Sequence, residues 1–253
     1  MGQPRVGVQL IIYGERVEED LPGLLAEIAE VGYDGVETGS LSRQEQADAM
    51  KAGLSATNLL HVGGHGGFGD WGNPETVAAC IENVKTAGGD YLMASGGYDW
   101  KDLDLWRKAT KILNDVGARC REAGLTFCYH NHNWELAEIE GTKPIHLLMA
   151  ETDPELVKLC PDVYWVHVGG EKPAEFIARY GNRCRVFHFK DGLGGDEFRA
   201  FRPLGEGCVD LKAALEAALA CQPEWIVVEQ DRPVHGPKED NRISREYLKS
   251  LGV

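Results

Sequence analysis

Apolar, β-rich runs alternate with helical patterns along this chain, and the alternation does not break. Residues 6–12 are nearly continuous in apolar character, the mark of a strand buried on both faces, as in a parallel sheet. Leu21, Leu24, Leu25, Ile28 and Val31 then recur at helical spacing, and Gly32 closes that helix. The same reading predicts further strands at 35–38, 54–62, 91–95, 125–128, 163–168, 184–190 and 225–229. Between them it predicts helices at 42–52, 76–87, 103–123, 145–150, 174–180, 209–220 and 243–251.

Eight strand-helix alternations argue for an α/β fold of one class, a closed (β/α)8 TIM barrel forming a single domain over residues 1–253. No linker, low-complexity segment or internal repeat interrupts them. The alternative, an open doubly wound sheet, usually has fewer strands and a phosphate fingerprint after the first. Gly14-Glu15-Arg16, after the first strand here, is no such fingerprint.

The balance of charge narrows the partners. A net charge of -14 repels phosphate backbones and anionic membranes, so neither nucleic acid nor membrane is expected as a partner. The seven cysteines form no C-x-x-C pair and most sit in apolar contexts, which reads as free core thiols in a reducing compartment. The start, Met1-Gly2-Gln3-Pro4-Arg5, lacks the features of a secretion signal, and no apolar run approaches the ~20 residues that span a bilayer. A soluble, cytoplasmic protein is expected.

In a barrel the active site lies at the C-terminal ends of the strands. Those ends are rich in ionisable groups: Glu37 after strand two, His61 after strand three, and His130, His132 and Glu135 after strand five. Asp162 opens the sixth strand, His188, Lys190 and Asp191 end the seventh, and Glu229 and Asp231 end the eighth. Glu135, Asp162, His188 and Glu229, taken together, form a three-carboxylate, one-imidazole set. It suits Mn2+ best, with Mg2+, Co2+ or Zn2+ as alternatives. Such carboxylates would repel one another without an ion. The competing reading is a set of separate rim salt bridges to Lys190, Arg199 and Arg232.

Gly32-Tyr33-Asp34-Gly35-Val36-Glu37, Tyr129-His130-Asn131-His132 with Glu135, Asp162-Val163-Tyr164-Trp165, His188-Phe189-Lys190-Asp191, Pro203-Leu204-Gly205-Glu206-Gly207 and Val228-Glu229-Gln230-Asp231 resemble the sugar phosphate isomerase/epimerase family of xylose isomerase-like barrels. The resemblance runs through nearly the whole chain. It implies a divalent metal held by a Glu, an Asp, a His and a second Glu, here Glu135, Asp162, His188 and Glu229. One departure concerns Asp162, which follows Cys160-Pro161 rather than a smooth strand. Members of the family often assemble as dimers or tetramers, so a homo-oligomer is open, with no interface marked in the sequence.

The ligand set leads to a mechanism. A keto-sugar or related polyol would bind through its carbonyl and an adjacent hydroxyl, and Glu135 and Glu229 would take and return the proton between them. That is isomerisation or epimerisation. Relatives also eliminate a β-substituent, so a lyase or dehydratase is the alternative, with His132 or His130 as the extra acid or base. Lys190, His61, Trp134 and Glu206 complete the expected substrate contacts, Trp134 by stacking on a sugar ring. Gly64-His65-Gly66-Gly67-Phe68-Gly69 fits G-x-G-x-x-G but follows the wrong strand, so it reads as a mobile mouth loop carrying His65, Phe68 and Trp71. Gly205-Glu206-Gly207 would offer backbone N–H groups to a polar substrate end. An abasic-site nuclease conflicts with the charge, and a non-catalytic sugar-binding barrel conflicts with so many ionisable strand ends.

Overall fold

The computed structural model of the chain describes residues 2–253. Its eight barrel strands are Arg5–Gln9, Gly35–Gly39, Leu60–Gly67, Tyr91–Ser95, Thr126–His130, Val157–Cys160, Val186–Phe189 and Trp225–Val228. Numbered one to eight in that order, they pair in parallel as 6-5-4-3-2-1-8-7. Bridges from Leu159 to Cys184 and from Asp162 to His188 join strand six to strand seven and close the barrel. Helices pack outside, the longest being Leu103–Ala123, where Leu103, Trp106, Leu113, Val116 and Cys120 form its buried stripe. Asp102 caps its start by accepting the Asp104 N–H, and Gly124, in the left-handed region, closes its end.

Two expected strands move. Residues 163–168 form a helix, Val163–Val168, not a strand. Asp162 is its cap, accepting the Trp165 N–H at 2.8 Å, so a β-branched run is drawn into a helical turn. The sixth strand is the shorter Val157–Cys160 before it. Asp162 therefore sits just beyond a strand's C-terminal end rather than at a start, and Pro161 marks the bend between strand and helix.

Strand three is shifted as well. The helix before it runs Gln44–Thr57, and the strand itself is Leu60–Gly67. The supposed mobile loop is thus largely strand, followed by the helical turn Phe68–Trp71. Trp71 is buried and donates its indole N–H to the Gly66 carbonyl at 3.1 Å, while Phe68 stacks on Trp100 at 5.0 Å. Glycines are poor strand formers, yet Gly63 is required here. A Cβ at Gly63 would lie 2.1 Å from the Tyr91 carbonyl oxygen of the adjacent strand.

Candidate active site

The two-residue period of the strands stacks the barrel interior in layers. Val62, Met93, Cys128, Cys160, Val186 and Val227 pack together with Tyr91 and Trp225 in one apolar layer. Two residues beyond Met93, Cys128, Cys160, Val186 and Val227 stand Ser95, His130, Asp162, His188 and Glu229. An apolar floor therefore carries a polar layer at the C-terminal mouth.

His130, Asp162, His188 and Glu229 each offer a ligand atom to one point, and these atoms all lie within 4.8 Å of one another. All four residues are buried. Glu229 Oε2 lies 2.5 Å from His188 Nδ1, and its Oε1 accepts from Lys190 Nζ at 2.9 Å. Lys190 also donates to Asp231 at 2.7 Å, and its ammonium lies 4.9 Å from the Trp165 ring centre and 4.6 Å from that of Phe201. Burial would raise the Glu229 carboxyl, but Lys190 and His188 hold it well below the usual range. The same carboxylates, Glu229, Asp231 and Asp162, keep Lys190 cationic against its burial.

Two members of the cluster are conspicuously under-bonded. Neither ring nitrogen of His130 has a hydrogen-bond partner, and neither does Asp162 Oδ2. A buried polar group left without a partner costs on the order of 1–3 kcal/mol. Burial holds His130 neutral, with its pKa well below the usual imidazole value, which is the form that ligates metals. The two nitrogens and two oxygens of this set fit a first-row divalent ion, and such an ion would give the orphaned atoms their partners.

Glu135 stands apart from these four. Its carboxylate accepts the Tyr129 hydroxyl at 2.7 Å and the His132 N–H at 2.8 Å, and it is completely buried. Burial, partly offset by Tyr129 and the backbone donors, pushes its pKa up to about 8. The residue that strand five brings to Asp162, His188 and Glu229 is His130, not Glu135.

The other expected contacts divide. His132 lines the cavity at the mouth, and burial lowers its pKa to about 3. Trp134 stacks on His132 with ring centres 4.0 Å apart and donates to the Gly96 carbonyl, so its face is already covered by an imidazole. Lys190 pairs with Glu229 and Asp231 and not with Asp191. His61 does not line the cavity: it lies early in strand three, bonds Thr38 at 3.1 Å and packs by Gly89 and Val84, between sheet and helices. Glu206 is exposed and faces His235 at 3.4 Å. The N–H groups of Gly205 and Gly207 are taken by Asp191, at 3.1 Å each, together with those of Gly192 and Val209. Asp191 thus folds the mouth loop, and those N–H groups do not serve a substrate.

A cavity of about 530 Å3 opens over the cluster. Gln9, Ser95, His65, His130, His132, Glu229 and Asp231 form its polar wall, and Leu10, Ile11 and Val17 an apolar one. Glu37, which ends up beside His188 and His65, was visible in the sequence as a strand-end carboxylate. His65, expected on a mobile mouth loop, lies instead in strand three and lines the cavity.

A model of the xylose isomerase-like TIM barrel family matches residues 25–251. An inosose dehydratase of Geobacillus kaustophilus is 27% identical over 98% of this chain and 94% of its own length. One from Lacticaseibacillus casei is 31% identical over 57% of this chain, a match spanning about half, 54%, of that relative. Among solved structures, a sugar phosphate isomerase/epimerase from Parabacteroides distasonis has a TM-score of 0.81 at 21% identity, covering 99% of this chain and 96% of that one. D-allulose 3-epimerase from Methylomonas sp., in complex with D-allulose, has a TM-score of 0.78 at 15% identity, covering 99% and 98%. At these identities the two structures share the fold. With the family model matched over most of its length, the chain belongs to the xylose isomerase-like TIM barrel family and, like the relatives aligned with it, is an enzyme.

Proposed function

We propose that this enzyme is a divalent-metal-dependent lyase that removes water from an uncharged keto-polyol. The observation that carries the reading is the unpaired imidazole of His130, buried at the cavity floor beside Asp162, His188 and Glu229. We assign these four as the ligands, and Mn2+ as the ion that suits them. The bound ion would supply Lewis acidity to a substrate carbonyl and adjacent hydroxyl. Lys190 acts through Glu229, keeping that carboxylate ionised and aimed at the cluster. His65 and His132 face the space where a polyol would lie.

Elimination is set ahead of the epimerisation expected from the sequence for a geometric reason. Epimerisation by paired carboxylates needs a second acid/base on the opposite side of the substrate carbon. Glu135, the expected partner of Glu229, spends its carboxylate on Tyr129 and His132. Elimination needs a proton carrier on one side only, and the imidazoles provide that. The relative aligned over nearly the full length is an inosose dehydratase, which supports the same reading.

The substrate is read as uncharged. Among the described residues the cavity wall carries Asp70, Glu229 and Asp231 and no Arg or Lys. A sugar phosphate would meet like charge there. The test is incubation of the Mn2+-loaded enzyme with an inosose and other keto-polyols, followed by mass spectrometry in H2O and D2O. Loss of water that stops with EDTA and returns with Mn2+ is expected. Deuterium uptake without loss of water would place epimerisation first.

A further inference from the structure

We infer that His65 is the catalytic residue that carries the proton in this site, and that Glu37 is the positioning residue serving both it and His188. The inference rests on the lyase reading above for its reaction, and on separate geometry for its residues.

Glu37, the middle residue of strand two, is wholly buried and does not line the cavity itself. Its two oxygens are divided. Oε2 accepts from His188 Nε2 at 2.7 Å, and Oε1 meets His65 Nδ1 at 3.3 Å. Holding the proton on His188 Nε2 leaves Nδ1, on the Glu229 side, as the ring's lone-pair donor toward the cluster. The same carboxylate fixes the His65 ring, whose Nε2 meets Ser95 Oγ at 3.0 Å. Both His65 and Ser95 line the cavity. The His65 ring centre lies 4.9 Å from that of His130 and 6.1 Å from that of His188. A base oriented by a carboxylate and standing beside the ligand cluster is the arrangement general-base catalysis requires. Strand three delivers His65 there because Gly63 lets its backbone close on Tyr91.

The step balances on one imidazole. His65 Nε2 takes the proton from the carbon next to the carbonyl, and the C–H pair becomes the new C=C bond. The β C–O bond breaks, its pair leaves on the hydroxyl oxygen, and the His65 imidazolium returns the proton to that oxygen. Water departs and His65 is neutral again.

Two variants and their controls test this. His65→Asn should keep stoichiometric Mn2+ and keep KM within about threefold, while kcat for water loss falls about 100-fold or more. Glu37→Gln should lower kcat about 10- to 100-fold and shift the visible absorption bands of the Co2+-substituted enzyme, with Glu37→Asp recovering part of both. A His65→Asn enzyme within threefold of wild-type kcat overturns the assignment of His65. A Glu37→Gln enzyme with an unchanged Co2+ spectrum overturns that of Glu37. If the wild type releases no water from any keto-polyol, the lyase reading fails on its own. The Glu37 assignment then still stands or falls on the spectrum.

Discussion

Burial pushes the Glu135 carboxyl up to about 8 from an ordinary value of 4.5, so the folded protein keeps a proton there that the unfolded chain releases. With more protons bound in the folded state, stability falls as pH rises between those two values. Glu135→Gln removes that dependence. A melting-temperature series from about pH 5 to 8.5 should show the wild type losing stability relative to the variant as pH rises. The variant should also keep its full complement of metal, measured on the same samples. His130 shows the opposite logic. Its ring is buried, neutral and without a hydrogen-bond partner, so His130→Ala should lose the metal while leaving the metal-free protein's melting temperature nearly unchanged. The sequence placed both residues at the right strand end. It could not say which turned to the cluster, because the turn Trp134–Leu136 carries Glu135 back under Tyr129.

Strand three and strand six show how elements escape a pattern reading. Val163-Tyr164-Trp165-Val166 has the composition of a strand, yet one hydrogen bond from the Trp165 N–H to Asp162 starts a helix there. The true strand six contains Lys158 and spans only Val157–Cys160, too short and too mixed to stand out. Strand three hides for another reason. Its glycines serve close approach between neighbouring strands, a tertiary need that local propensity does not record. Gly63→Ala should therefore be costly. A methyl group would sit 2.1 Å from the Tyr91 oxygen, and strand three would have to move away from strand four. Urea unfolding should show a loss of about 1–3 kcal/mol or more, and activity should fall further than stability accounts for, because His65 moves with the strand.

At the scale of the molecule, the alternation of strands and helices was legible in outline, since apolar runs and helix caps are local signals, although strand six was placed on the helix Val163–Val168 and strand three was displaced. The clustering of polar groups at one end was legible too, because the two-residue period projects it from each strand. What the sequence could not supply was which groups meet: His130 rather than Glu135 beside Asp162, His188 and Glu229, and Asp191 as acceptor for the Gly205 and Gly207 amides. Each depends on contacts between elements far apart in the chain. The acidic balance has a consequence at this scale. With a net charge of -14 and carboxylates on the cavity wall, the enzyme should bind a neutral inosose far better than a ketose phosphate. Competition of each against the dehydration reaction, repeated at low and high salt, checks this.

On the proposed reading, strand five gives His130, and not Glu135, to a metal shared with Asp162, His188 and Glu229. Anomalous diffraction at the manganese edge from Mn2+-soaked crystals tests it most directly. A single strong peak is expected at the base of the cavity, within about 2.3 Å of one atom from each of His130, Asp162, His188 and Glu229. A peak coordinated by Glu135 with His130 outside its reach, or no peak at this position, would contradict it.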